Sequence, residues 1–352
     1  MFDIYRGRKV FITGHTGFKG SWLAFLLHEA GAEVAGYALP PATSGSHFDQ
    51  LGLAGKIRHS VGDIRDAAAL SQAVAEFRPE FVFHLAAQAL VRPSYADPAA
   101  TFATNVMGST HLLEAVRGCD SVCSLVYITS DKCYENVEWI WGYRENDQLG
   151  GADPYSASKA AAELVFSSYA RSFFARRPSL GAASVRAGNV IGGGDWAVDR
   201  IVPDCIRAIS GGQPIVLRNP AATRPWQHVL EPLSGYLLLG ARLFEEPAGW
   251  GGAWNFGPSS HEVRTVKDVA EHMVARIGAG SIRVEQQPVQ LHEAHLLQLN
   301  CDKATQLLGW KPRWSVDQAL DATADWYART MAGEDAVGVT RGQLRAYFPE
   351  LP

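Results

Sequence analysis

An α/β fold built on a doubly wound parallel sheet, with a smaller mixed α/β lobe after it, is what this sequence predicts. Two observations carry that reading. Over the first 190 of 352 residues, short apolar runs alternate with helical patterns. Beyond residue 190 the chain turns rich in glycine, proline and tryptophan. Strands that alternate with helices imply crossover connections and a sheet covered on both faces.

The elements follow in order. Residues 9–13 (KVFIT) read as a buried strand and residues 21–30 (SWLAFLLHEA) as a helix that Gly31 stops. Residues 33–37 form a second strand and 57–61 a third, followed by a helix over 67–77. Residues 81–85 (FVFHL) are a fourth strand, with a helix near 98–117. Residues 124–129 (SLVYIT) are a fifth, followed by a long helix over 155–174, and 182–186 are a sixth. After residue 190, IGGGDW, GGQPI, RNPAATRPW and EEPAGWGGAW read as irregular segments lining a site. Helices over 230–244, 266–277 and 316–330 alternate with them. The division is therefore 1–190 for a dinucleotide-binding domain, 191–335 for a ligand lobe that exchanges some chain with the first, and 336–352 for a tail with a short helix.

Composition excludes several classes. Hydrophobic residues make up 47% and charged residues 19%, so the chain can bury a core and is not disordered. The net charge of −4 gives no field to attract nucleic acid. No run approaches the roughly 18 apolar residues of a membrane span, and no apolar signal core precedes Gly14, so the expected location is cytoplasmic. Cys119, Cys123, Cys133, Cys205 and Cys301 are scattered and odd in number, against a disulfide framework or a thiolate zinc site. His292 and His295 lack the i, i+4 spacing of a helical zinc motif, so no metal is expected.

Gly14, Gly17 and Gly20 are spaced GxxGxxG between the first strand and the first helix. Gly14 permits a tight turn, Gly17 lets backbone approach a pyrophosphate, and Gly20 allows the helix to pack closely on the strand. The helix N-terminus then offers free N–H groups to phosphates, which makes this a dinucleotide site of the Rossmann type. The cofactor-binding candidates are Gly14, Thr16, Gly17, Phe18, Lys19, Gly20, Asp63, Ile64, Leu85, Ala86, Ala87, Tyr155 and Lys159. The end of the second strand, residues 35–41, holds neither an acid for a ribose nor an arginine for a 2′-phosphate. That position therefore does not decide NAD against NADP. Asp63 is placed to reach an adenine amino group, with a helix cap for 67–77 as its competing role.

Asp153-Pro154 opens a helix on which Tyr155 and Lys159 stand one turn apart. A lysine ammonium favours a phenolate and is expected to lower the phenol from about 10 towards neutrality, making Tyr155 a base for a hydroxyl proton. The fifth strand ends in Ser130-Asp131-Lys132, beyond the carboxyl end of the sheet where ligands bind. Ser130 is set to hydrogen-bond a reacting oxygen. Asp131 and Lys132 add an acid–base pair that a plain alcohol dehydrogenase does not need, unless they are only an ion pair in a solvated turn.

These segments, together with RAGNVIGGGDW (186–196), RPWQHVLEPL (224–233) and LGWKP (308–312), resemble the extended short-chain dehydrogenase/reductase family, within it the nucleotide-sugar 4,6-dehydratases. The resemblance is nearest to members that act on CDP-glucose. It implies tightly held NAD and a catalytic set of Ser130, Asp131, Lys132, Tyr155 and Lys159. Tyr155 would take the C4 hydroxyl proton, Asp131 would protonate the departing C6 hydroxyl, and the hydride lost at C4 would return at C6. Lys132 stands where the dTDP-glucose enzymes carry a glutamate base; as a base it must be neutral, which requires burial or nearby cations. The resemblance further implies substrate contacts at Asn189, Arg200, Arg224 and His228, with Arg224 on the pyrophosphate and Trp226 in the core. It implies a homodimer or dimer of dimers through the helices near 98–117 and 154–174, whose alanines 160–162 suit close packing. The readings set against it are another nucleotide-sugar dehydratase, a 4-epimerase and a non-catalytic dinucleotide sensor. Epimerisation needs no acid–base pair at C5 and C6, and the sensor has no use for the tyrosine–lysine pair.

Overall fold

A computed structural model describes residues 1–258, 263–285 and 296–351. His292 and His295 lie outside them. Seven parallel strands form one sheet in the order β7-β6-β5-β4-β1-β2-β3: β1 (Lys9–Thr13), β2 (Glu33–Ala38), β3 (Arg58–Val61), β4 (Phe81–His84), β5 (Ser124–Ile128), β6 (Gly181–Ala187) and β7 (Gly252–Phe256). The chain reverses direction across the sheet between β1 and β4, which opens a crevice at their carboxyl ends.

Alternation along the strands divides the core. Val10 and Ile12 point to one face, with Phe81, Phe83 and Val126; α1 (Phe18–Glu29) and α6 (Leu230–Glu245) cover it. Phe11, Val82, Leu125 and Tyr127 point to the other, under α2 (Ala67–Phe77), α3 and α4 (Pro154–Ser172). Here α3 is one helical run assembled from Pro98–Phe102, a π turn at Ala103–Gly108 and Ser109–Arg117. The inner strands β1, β4, β5 and β6 are buried on both faces, which is why they read as continuous apolar runs, whereas the edge strand β3 is partly exposed.

The smaller lobe contains α5 (Ile201–Ser210), α7 (Val266–Ile277) and short strand pairs, among them Ile215–Leu217 with Ile282–Val284. Two elements correct the sequence reading. The stretch 245–254 is not wholly irregular: Gly252, at φ +91°, starts β7, which pairs with β6 in parallel. Trp254 and Phe256 bury themselves in the main core, and the run of glycines before them hid the strand. Residues 201–210, unassigned from sequence, form α5 with Val202, Cys205 and Ile206 inward. The sheet thus takes its edge strand from beyond residue 190.

The segment after residue 336 does not trail away. It forms α9 (Ala336–Tyr347), which follows α8 (Val316–Met331). Arg341 pairs with Glu29 on α1 at 2.5 and 3.0 Å, and the Tyr347 hydroxyl donates to buried Glu231 at 2.5 Å. Among the described residues no helix is long and apolar enough to cross a membrane, no cluster of three metal-ligating side chains occurs, and the five cysteines are free.

Candidate active site

A cleft of about 1050 Å³ runs along the carboxyl ends of the strands, between the sheet and the smaller lobe. Its floor is set by the glycine turn. Gly14 adopts φ +78°, and a Cβ there would stand 2.7 Å from the Ala86 nitrogen. A Cβ on Gly20 would meet the Gly14 carbonyl oxygen at 2.1 Å, so helix and turn touch backbone to backbone. Gly17 is the N-cap of α1 with no side-chain cap, and no acid sits in the first turn. The exposed N–H groups and the positive end of the helix dipole therefore face the cleft, a cradle that fits the pyrophosphate of a dinucleotide.

All the cofactor candidates line this cleft. Asp63 does not cap α2; Asp66 does, accepting from the Ala69 nitrogen. The Asp63 carboxylate instead binds the Arg65 guanidinium at 2.5 and 2.9 Å, which holds it below the usual carboxylate range. Arg65 also borders the cleft and was missed from sequence, because it belongs to a turn rather than to the end of β2.

The catalytic candidates converge. Ser130 caps a 3₁₀ turn, Asp131–Cys133, its hydroxyl accepting from the Lys132 nitrogen at 3.2 Å and donating to Asp131 Oδ1 at 2.9 Å. Asp153 caps α4 by accepting from the Ser156 nitrogen at 3.0 Å, and Pro154 takes the first helical position. Tyr155 and Lys159 therefore project from one face of α4 into the same cleft as Ser130, Asp131 and Lys132. Tyr155, Lys159, Ser130 and Asp131 are each less than 9% exposed.

That burial sets the charges. Asp131 is raised from its usual range chiefly by desolvation, with the Lys132 charge, the Ser130 hydroxyl and Lys19 opposing. A carboxyl pushed upward suits a proton donor. Lys159 is pushed down to about 8 by burial, opposed by Cys133 and Glu163. Lys19, on α1, is likewise pushed down to about 8, by burial and by the Arg200 and Lys159 charges. One expectation is overturned here: Tyr155 is not drawn towards neutrality. Burial pushes its phenol up to about 12, and Asp131 adds to the rise against the Ser130 hydroxyl and Arg200. Desolvating a phenolate costs more in this dry floor than its neighbours return.

On the opposite wall stand Asn189, Arg200 and Arg224. Arg200 binds Asp195 at 3.0 Å. Trp226 is 7% exposed, its indole N–H donating to the Arg264 carbonyl, and it edges the cleft from the core. His228 is the exception among the substrate candidates: it does not reach the cleft. It is fully buried between the Trp22 and Trp314 rings, its Nδ1 accepting from the Leu230 nitrogen at 3.3 Å, and burial pushes it down to about 3. The short pairing of Gln227–His228 with Val190–Ile191 turns its side chain inward. Arg92 and Arg218 also border the cleft, both paired with Asp199 at 2.9 and 3.6 Å. Arg92 belongs to no motif, and Arg218, although it opens the RNPAATRPW segment read as lining a site, was not singled out as a contact.

The arrangement can hold a dinucleotide along the sheet and a second anionic ligand against the arginines, with an acid, two amines and a phenol between them. Comparison with known proteins is consistent with this. Residues 11–323 match the GDP-mannose 4,6-dehydratase family. The chain is 48% identical over 350 residues, 98% of both chains, to the CDP-glucose 4,6-dehydratase of Salmonella typhimurium. It is 28% identical to the dTDP-glucose 4,6-dehydratase of Streptomyces antibioticus, over 90% of this chain and 91% of that one. Among solved structures it superposes on the UDP-glucose 4-epimerase of Thermus thermophilus in complex with NAD, with a TM-score of 0.78 and 27% identity, over 91% of this chain and 98% of that one.

Proposed function

The chain belongs to the GDP-mannose 4,6-dehydratase family, and from that premise we infer that it converts CDP-glucose to CDP-4-keto-6-deoxyglucose with the loss of one water. The observation that carries the choice of dehydration over epimerisation is the Asp131–Lys132 pair beside Ser130 and Tyr155. Epimerisation at C4 leaves C5 and C6 untouched and needs no such pair.

Residues of the glycine turn, with Asp63, Ile64, Leu85, Ala86, Ala87, Tyr155 and Lys159, would hold NAD. When bound, NAD accepts the hydride from C4 and returns it to C6, so no outside reductant is consumed. The protein's own groups move the protons. Tyr155 receives the C4 hydroxyl proton, with Ser130 hydrogen-bonded to the same oxygen and the Arg200 charge opposing the desolvation of the phenolate. The C4 ketone makes the C5 hydrogen acidic. Lys132 stands next to Asp131 to take it; Asp131, as the acid, gives its proton to the C6 hydroxyl, and water departs. Lys132 then holds the proton that C5 regains once hydride reaches C6.

The first 190 residues supply the cofactor side and residues 191–335 the nucleotide-sugar side. Arg224 and Arg200 suit the diphosphate and Asn189 the sugar. His228, being buried, receives no substrate role. The chain pairs as a homodimer, alone or as a dimer of dimers, through α3 and α4. Met107 and Leu164 are 51% and 61% exposed on these helices, and Phe102 and Phe173 are exposed at their ends, apolar surface that pairing would cover. Of the alanines, Ala160 and Ala162 are buried, while Ala161, half-buried and three residues before Leu164, lies on that face. Five unpaired cysteines suit the cytoplasm.

Incubation with NAD and a panel of nucleoside-diphosphate glucoses, followed by mass spectrometry, tests the assignment. CDP-glucose should give a product lighter by one water. In the same assay Lys132→Ala should still reduce cofactor while water loss stalls. Unchanged CDP-glucose beside turnover of another nucleotide sugar would reassign the substrate. A product of unchanged mass would indicate an epimerase.

A further inference from the structure

Beneath the catalytic turn lies a buried ion pair that the reaction as described does not use. Arg186 on β6 meets Glu163 on α4 at 2.7 Å, with the two side chains 4% and 3% exposed. Stability does not account for it. Taking two charges out of water costs about as much as their attraction returns, and an apolar pair of similar size often serves as well. Its position does account for it.

Glu163 follows Lys159 by one turn and Tyr155 by two on α4. Its carboxylate accepts from the Thr129 hydroxyl, from the Ser184 hydroxyl at 2.8 Å and from Arg186. Arg186 donates onward to the Tyr134 hydroxyl at 2.8 Å and to the Glu145 carbonyl at 3.0 Å, and its guanidinium lies 4.8 Å from the Tyr134 ring centroid. Tyr134 in turn donates to Asn255 on β7 at 2.8 Å. Thr129 and Tyr134 are the residues that bracket Ser130, Asp131, Lys132 and Cys133. One ion pair therefore grips both ends of the catalytic turn and stands in line with the tyrosine and lysine.

Resting on the dehydratase reading above, we propose that Glu163 and Arg186 are a positioning pair: they clamp the turn carrying Ser130, Asp131 and Lys132 at both ends and hold the charge of Lys159. The charged and titratable groups that bear on Lys159 come from every side. They are Cys133 from the turn, Glu163 on its own helix, Lys19 from α1 and His84 from β4. Of these, Glu163 is the carboxylate that favours its protonated form.

The test follows C4 oxidation alone, as the absorbance of reduced cofactor in a single turnover with CDP-glucose across pH. Glu163→Gln keeps the shape and removes the charge. It should cut the rate at least tenfold with KM within threefold, and Lys159 should lose its proton sooner, moving the alkaline limb to lower pH. Thr129→Val removes one grip while leaving the charge. It should slow the step at least threefold with the limb in place. Arg186→Lys should recover more rate than Arg186→Met. If the limb of Glu163→Gln overlays that of wild type, or Thr129→Val keeps the full rate, the clamp is refuted. Should Glu163→Gln not fold, Thr129→Val and the two Arg186 variants decide. A wild-type protein that reduces no cofactor with any nucleotide sugar refutes the dehydratase reading instead.

Discussion

The two walls of the cleft are made of different materials. The cofactor wall is backbone and small apolar side chains, Gly14, Gly17, Leu85, Ala86 and Ala87, mounted directly on the ends of β1 and β4. The opposite wall is charge outside the main sheet, at a helix start, a loop and a two-residue strand: Arg200, Arg218 and Arg224, with Asp195 and Asp199 as counter-ions. Asp199 adopts φ +58°, uncommon outside glycine. Parallel strands fix the first wall to within a hydrogen bond, whereas the second rests on the half-buried Arg200–Asp195 pair and on the exposed Arg218–Asp199 pair, the latter worth no more than about 1 kcal/mol. A cofactor that must be oxidised and reduced within one turnover belongs on the rigid wall. A substrate that enters and leaves belongs on the exchangeable one.

Three changes would break or sharpen that contrast. The largest effect is expected from Gly20→Ala. The new methyl has the Gly14 carbonyl at 2.1 Å, a backbone atom that cannot yield without opening the turn. Cofactor affinity should fall by at least about a hundredfold, read by titration with NAD; unaltered affinity would show that the wall is softer than described.

Acid should come next, and it should act mainly on the rigid side. His15 and His84, at the ends of β1 and β4, and His47 and His228 behind them, are buried and pushed down to about 3. For His15 the cause is burial and then His59, whose Nδ1 lies 2.7 Å from its Nε2. An unfolded histidine binds its proton near pH 6.5, so the folded state binds fewer protons below that pH. Stability is full above about 6.5 and declines as pH falls towards 3. At pH 5 the loss reaches at most about 2 kcal/mol for each histidine. The melting temperature should drop steeply between pH 6.5 and 5, and a flat profile would contradict the burial of these rings.

The smallest effect is expected from Arg224→Gln, on the exchangeable wall. Losing a charge-assisted contact costs about 1.5–3 kcal/mol, so KM for the nucleotide sugar should rise by about ten- to a hundredfold. The rate constant kcat and the affinity for NAD should stay near wild type. A fall in NAD affinity would mean that the two walls are not separate.

The same contrast governs what could be read from sequence. The rigid wall was legible because its physics is local. A strand, a glycine turn and a helix follow each other in the chain, and Tyr155 and Lys159 are one helical turn apart. The exchangeable wall was legible only where motif resemblance supplied Asn189, Arg200 and Arg224. Arg92 and Arg218 lie far apart in sequence and converge on Asp199 only through the tertiary fold. His228 shows the opposite failure, a residue inside a recognised segment that a two-residue strand turns into the core. The Tyr155 phenol was misjudged because a lysine one turn away is visible in the sequence, while the depth of burial around both is not.

The placement of the rim has a practical side for redesign. Residues 218–222 carry no strand of the seven-stranded sheet, and Thr223–Arg224 pair outside it, with Arg264–Thr265. Randomised libraries aimed at a different nucleotide sugar can therefore vary the side chains of this stretch, whose Pro220 and Ala222 carbonyls bond the start of α7, while the sheet and the chemistry mounted on it are left alone.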